Sequence, residues 1–353
     1  MLKISLLNKR GFAIQFNWLF VLIGGVVILS FFVSLINNST FGNDQETDQK
    51  STEEVNALLK VSLASGNTQK TMSFDKKIMF YCDDTSEFFV GAAFKPARYD
   101  YNAIFSPKVL DSSELIIQTL ALNIPFRAMP LVYVTNKDIE YVFVGNAPLI
   151  NLVFNQMPDN VTMKSIPAGS IAYYPNFDFD HTVFILSDTS HLAALSNFAG
   201  TKDVVYAVVL EPGSANVYSY GNISFYRYDT PSSSFVLDGT LPFLGSELLL
   251  GGVISHDKTI YECNLKKVIT RISTLSKLHE ERMVYYGDNA ESHCQMYYAG
   301  SATSAINYLE DLKIFAEKNE LSVVNFQSIY SAISSLRSLN NFIITKTECP
   351  RIY

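Results

Sequence analysis

Residues 182–210 read TVFILSDTSHLAALSNFAGTKDVVYAVVL. TVFILS (182–187) and DVVYAVVL (203–210) are unbroken apolar runs, the pattern of strands covered on both faces. Between them HLAALSNFA (191–199) reads as a short helix, and Asp188, Thr189 and Ser190 stand where that helix needs a cap. The stretch predicts strand–helix–strand and an α/β or α+β fold, a mixed sheet with flanking helices. Its helix is short for a parallel crossover, so the pairing direction stays open.

Upstream, KIMFYC (77–82), NAIFSP (102–107), LVYVT (131–135) and DIEYVFV (138–144) read as strands, the last two as a hairpin joined near Asn136-Lys137. LINLVF (149–154) reads as a further strand and SSELIIQTLALN (112–123) as a helix. Downstream, VYSYGNISFYRYD (217–229) alternates and reads as a hairpin turning at Gly221-Asn222, and SFVLDG and ELLLGGVI complete the region. After His256 the period becomes helical. Leu265, Val268, Ile269, Ile272, Leu275 and Leu278 mark a helix over about 264–286. Ala302 to Phe315 mark a second (301–319), and Phe326 to Leu339 a third (325–342).

The N-terminal part has another character. NKRGFAIQFNWLFVLIGG (8–25) opens a run, Gly11 to Ile36, without a charged residue. About 20 apolar residues cross a bilayer as a helix, and the run is too long for a secretory signal. Lys3, Lys9 and Arg10 precede it and no acid does, which sets the N-terminus inside. The expected organisation is a cytoplasmic 1–11, a transmembrane helix over 12–36 and a stalk over 37–73. An extracytoplasmic α/β domain (74–255) and a helical section packed on it (256–353) follow. Within the stalk Ser51 and Glu54 form a capping box. Val55, Leu58, Leu59 and Leu63 then share one face of a helix over about 52–64.

With 48% hydrophobic and 13% aromatic residues in 353, the chain supports a sizeable core and global disorder is excluded. Setting aside Lys3, Lys9 and Arg10 leaves 24 Lys and Arg against 34 Asp and Glu, a balance of −10. Such a surface repels nucleic acid. The four cysteines include no C-x-x-C, so an exported chain reads as carrying two disulfides. Of the three pairings, Cys294–Cys349 and Cys82–Cys263 are favoured. The first pair falls at one end of the three-helix arrangement, and the second ties its start to the first strand. Asn37, Asn38, Asn160 and Asn222 open N-x-S/T sequons and are the glycosylation candidates.

Catalytic motifs are scarce. The chain has no G-x-G-x-x-G, P-loop, G-x-S-x-G or EF-hand loop. His279-Glu280-Glu281-Arg282-Met283 starts like a zinc-binding H-E-x-x-H but ends in Met, and His293-Cys294 lacks partners at metal spacing. Ser73-Phe74-Asp75-Lys76 matches S-x-x-K but precedes a strand. Asp83, Asp84 and Asp188 follow strands, where α/β ligand sites lie, and are the catalytic candidates beside a plain capping role. His181 and His191 flank the TVFILS strand. No metal or cofactor is expected.

Lys9-Arg10-Gly11-Phe12 followed by AIQFNWLFVLIGG resembles the N-terminus of uncharacterised archaeal single-pass membrane proteins. It is loosely similar to archaeal type IV pilin-like leaders, which are cut after the Gly. Phe16 stands at the fifth position after Gly11, where pilins commonly carry Glu. The resemblance covers about 30 residues and implies a cell surface and no activity. The expectation is a membrane-anchored cell-surface protein, a non-catalytic binding or assembly component with a protein or glycan partner. Two alternatives accompany it. One is an extracytoplasmic hydrolase or solute-binding protein using the strand-end acids, and the other is a pilin-like filament subunit.

Overall fold

The computed structural model describes residues 9–82, 86–93, 95–173, 181–195, 204–214, 217–318 and 320–353, with side chains for all of these except 9–20, 31–45, 65 and 171–173. The chain opens with α1 (Lys9–Ser65), β1 (Thr68–Ser73), β2 (Ile78–Cys82), β3 (Ser86–Val90), β4 (Ala97–Arg98) and β5 (Ala103–Phe105). It continues through β6 (Val109–Leu110), β7 (Glu114–Asn123), β8 (Arg127–Asn136), β9 (Ile139–Val144), α2 (Pro148–Phe154) and β10 (Thr162–Ile166). A 3-10 turn (Ala168–Tyr173), β11 (His181–Leu186), α3 (Ser190–Ala194), β12 (Val204–Ser214), β13 (Val217–Asp229) and β14 (Ser234–Leu244) follow. Helices take over with α4 (Gly245–Ser255), α5 (Lys258–Asn289), α6 (Ser292–Tyr298), α7 (Ala305–Glu317) and α8 (Val323–Lys346). The class is mixed α/β with a C-terminal helical section.

The main sheet has the order β10-β9-β11-β12-β13-β14. β10, β9, β11 and β12 run parallel, and β13 and β14 return antiparallel. The crossover from β11 to β12 is therefore parallel, with His181 opposite Val204 and Leu186 opposite Val209. Alternate residues go to opposite faces. Tyr141, Phe143, Val183, Ile185 and Val208 join the main core, while Val142, Val144, Phe184, Leu186 and Val209 build a second core. Burial on both faces is why these runs carry no polar alternation. A second sheet, β1-β7-β8-β5, and a small one, β4-β3-β2-β6, complete the β part among the described residues.

Several sequence expectations are corrected. Residues 114–123 are strand β7, paired to β1 on one side and β8 on the other. A strand with both edges and both faces covered shows no alternation, so its Leu and Ile fit a helix pattern as well. β8 and β9 are consecutive but form no hairpin. Asn136 Oδ1 accepts from the backbone N–H of Asp138 and Ile139, both at 3.1 Å, and turns the chain from one sheet into the other. Residues 149–154 belong to helix α2, whose start is pre-set by Pro148. Residues 217–229 form one strand without a turn at 221–222. Gly221 is there because a Cβ would run into the Glu211 carbonyl beside a bulge in β12. Residues 247–254 lie in α4, where Leu248 to Ser255 are all buried.

The capping box does not start a helix, because α1 runs unbroken through 37–50, where an irregular stalk was expected. Ser51 Oγ instead donates back to the Thr47 carbonyl at 3.0 Å. The expected amphipathic face is present: Val55 and Leu59 are buried, and Leu58 and Leu63 pack on the core. Asp48 clasps this end of α1, accepting from Ala92 N at 2.8 Å and pairing with Lys76 Nζ at 2.7 Å. Among the described residues no helix is long and apolar enough to cross a membrane. The expected span lies within α1, and the side chains described there, at 21–30, form an apolar surface with Val21 and Leu29 about 70% and 67% exposed.

Candidate functional site: a basic groove along α5

The disulfide Cys82–Cys263 bonds β2 to the second turn of α5, and Cys294–Cys349 bonds α6 to the chain after α8. Beside the first lies a concavity of about 1380 Å³. Exposed residues of α5 form one wall at helical spacing: Thr259, Lys266, Thr270, Arg271 and Thr274, with Glu262 half-buried among them. The facing wall comes from 100–102 and from 127–130 at the start of β8.

α5 holds that wall through its buried side. Asn264 donates to the Ile104 carbonyl at 2.8 Å and accepts from the Ile104 N–H at 3.0 Å, acting as an extra edge partner for β5. Lys267 Nζ donates to the carbonyls of Tyr99 (3.3 Å) and Asn102 (3.0 Å) and lies 4.3 Å over the Tyr99 ring. Burial pushes the Lys267 ammonium down to about 7, and Asp100 opposes that shift. The carbonyl acceptors and the ring favour the charged form. Arg271 Nε donates to the Ala128 carbonyl at 3.4 Å.

Among the described lining residues four cations, Arg127, Lys266, Lys267 and Arg271, stand against Asp100 and Glu262. Glu262 is occupied by Lys258 at 2.9 Å and Lys266 at 2.8 Å, which hold its carboxyl below the usual range. Asp100 accepts from Ser86 N at 3.0 Å. Among the described residues neither Arg127 nor Arg271 has a carboxylate within ion-pair reach. In a chain of net charge −7 this is a local positive surface suited to carboxylate or sulfate groups, which guanidinium grips with two N–H donors.

The sequence-derived candidates do not gather here. Asp188 is exposed, and its Oδ1 accepts from Ser190 N at 2.7 Å, the bond that most lowers its carboxyl. It stands just before Thr189, the N-cap of α3, closing a local turn onto Ser190, and lies at the opposite end of β11 from His181. Asp83 and Asp84 lie outside the described residues. The Cys294 thiol is consumed in a disulfide beside His293. His279 stacks on Phe126 at 4.5 Å between ring centroids, and Lys76 is held by Asp48. Asn160 is exposed in a turn at φ 66°, while Asn222 is half-buried within β13 rather than on a loop. The side chains of Asn37 and Asn38 lie outside those described. The α5 stripe repeats every four residues and is visible in the sequence. Arg127, more than 130 residues away from it, carries no local signal.

No protein-family model matches this chain, and no curated protein or solved structure matches it either.

Proposed function

We propose that this chain is a single-pass, N-in/C-out surface protein whose extracytoplasmic domain is a binding or assembly component, taking an acidic partner in the α5 groove. The observation that carries the reading is the pair of arginines on facing walls, neither ion-paired among the described residues, in an acidic chain. No serine, cysteine or histidine accompanies them among the described lining residues except the bonded Cys82 and Cys263 and Ser86, whose hydroxyl lies against those two sulfurs at 3.3 and 3.7 Å. The exposed apolar side chains at 21–30, the uncharged run from Gly11 to Ile36 and two disulfides support an anchored, exported chain.

The test is affinity isolation of the full chain from its native membrane in mild detergent, followed by binding of an acidic peptide and a uronic-acid glycan to wild type and to Arg127→Glu/Arg271→Glu. A stoichiometric partner, or binding of either probe that weakens with salt and is lost in the double variant, supports the reading. Equal binding by the variant removes the groove as the site.

A second reading, a pilin-like filament subunit, draws support from α1. One helix carries a bare apolar stretch at 21–30 and a packed end at Val55 and Leu59. Such a stretch can be buried in lipid or against copies of itself. A mature protein retaining Lys9-Arg10-Gly11 excludes leader processing, and one beginning at Phe12 supports it.

A further inference from the structure

A second cleft, about 780 Å³, opens at the N-terminal end of β11 and contains two imidazoles. His181 begins β11. His256 sits between α4 and α5, only 3% exposed, in the left-handed region at φ 37°. The two Nε2 atoms are 3.0 Å apart, with ring planes at 85° and centroids 4.8 Å apart. Tyr206 packs against both rings, at 5.4 and 4.7 Å.

Such a pair has two uses. One is a simple N–H···N hydrogen bond. The other is coordination: a metal–nitrogen bond is about 2.0–2.1 Å, so two imidazoles on one ion at 90–110° have nitrogens roughly 2.8–3.4 Å apart. The separation found here falls in that range. Burial keeps both rings neutral, taking His181 down to about 4 and His256 well below its ordinary value. Neutral imidazole is the ligating form. The carbonyls of Val253 and Ile254 lie near His256 and favour a protonated ring, although its Nδ1 makes no well-formed hydrogen bond. A proton on Nδ1, facing those carbonyls, leaves the Nε2 lone pair toward His181. Among the described lining residues Asp111, Asp138 and Asp257 stand against one cation, Lys108. Among the described residues no third His, Cys, Asp or Glu completes a ligand triad with these rings, and both rings line the cleft.

We propose that His181 and His256 form a two-imidazole site for a divalent d-block cation, Zn2+ or Cu2+, with open coordination positions for water or a small ligand. Imidazole selects these ions over Ca2+ and Mg2+, and the carboxylates at the mouth favour a cation over an anion. The inference is independent of the α5 groove.

The experiment uses the full chain in mild detergent, stripped of metal and titrated with Cu2+. Paramagnetic resonance reads the number of coordinated nitrogens, and Zn2+ serves as competitor. One equivalent bound through two nitrogens, and weakened at least tenfold by His181→Gln or His256→Asn, is the expected result; Asn tolerates the left-handed conformation. His279→Gln and His293→Gln should leave it unchanged. Circular dichroism checks the fold of each variant. If both site variants fail to fold, exchange of the imidazole C2 hydrogens in wild type decides the matter: Zn2+ should slow it at His181 and His256 and not at His293. Absence of stoichiometric binding, undiminished binding by a folded site variant, or unchanged exchange at His181 and His256 overturns the proposal.

Discussion

Asn264 is the residue on which the groove's far wall most depends. β5 is the edge of its sheet and pairs only with β8. Its outer side is closed by the Asn264 amide, which both accepts from and donates to Ile104. Asn264 is 0% and Ile104 1% exposed, so water cannot replace the amide. In Asn264→Ala two buried backbone groups lose their partner. At about 1–3 kcal/mol for each unmet group, the loss should be about 2–6 kcal/mol. The Asn264 bond to Ile260 O adds little, because that carbonyl stands at the i−4 position of the same helix. Asn264→Asp separates hydrogen bonding from volume. At neutral pH the carboxylate still accepts from Ile104 N–H and from Lys267 Nζ, which lies 3.4 Å from Asn264 Oδ1, but faces the Ile104 carbonyl, so Asn264→Asp should recover part of what Asn264→Ala loses. Urea unfolding of the full chain in mild detergent, followed by circular dichroism at constant m-value, measures both variants. Asn264→Ala within about 0.5 kcal/mol of wild type would refute the bridging role.

Three further outcomes follow from the same packing. His181 has its folded-state pKa lowered from 6.5 to about 4. The unfolded chain therefore binds more protons in that window, and His181 alone should cost up to about 3 kcal/mol of stability as pH drops from 6.5 to 4; His256, also lowered by burial, adds to the loss, so His181→Gln should make the profile shallower without flattening it, and a flat wild-type profile counts against burial of the pair. Replacing Cys82 and Cys263 by Ala opens a closure of 181 residues, worth about 5 kcal/mol in the chain-entropy account, against about 4 for the 55-residue closure of Cys294–Cys349; melting curves of the two double variants should rank in that order. Gly251→Ala places a Cβ 2.8 Å from the Phe105 ring, and the overpacking should cost about 1–3 kcal/mol, more than the helix propensity of Ala returns; a stabilised variant would show that Phe105 moves freely.

What was legible in the sequence follows from how local each cause is. The strand–helix–strand unit was readable because TVFILS and DVVYAVVL are buried on both faces, although its parallel direction was not, and the C-terminal helices were readable because each keeps one polar face. The same double burial hid β7, whose Leu and Ile show no period of two. Gly221 looked like a turn, yet its lack of a side chain serves the approach of Glu211, which no window around Gly221 reveals. The Ser51 capping box failed because a local cap competes with an uninterrupted helix, and the flanking sequence did not stop α1. At the groove, only the α5 stripe had a local signature. Arg127 and the Asn264–Ile104 bridge, 160 residues apart, are products of topology. The pairing of His181 with His256 likewise rests on a left-handed residue that follows a buried helix, and nothing near either histidine announces it.

The manner in which α5 is fastened has a consequence for recognition. Cys263, Asn264, Lys267 and Arg271 follow one another at one, three and four residues, and each reaches a different segment: Cys82, Ile104, the Tyr99–Asn102 loop and Ala128. Apart from the disulfide, every one of these ties ends on backbone, so the facing wall keeps its position whatever side chains it bears. The groove's geometry and its charge are therefore separable. Changing Asn264 or Lys267 should alter shape and stability together. Changing Arg127, which is exposed, should alter ligand charge preference while leaving the unfolding free energy nearly unchanged, because an exposed charge contributes little to folding. A site arranged in this way can change its partner through the rim residues without rebuilding the fold that carries it.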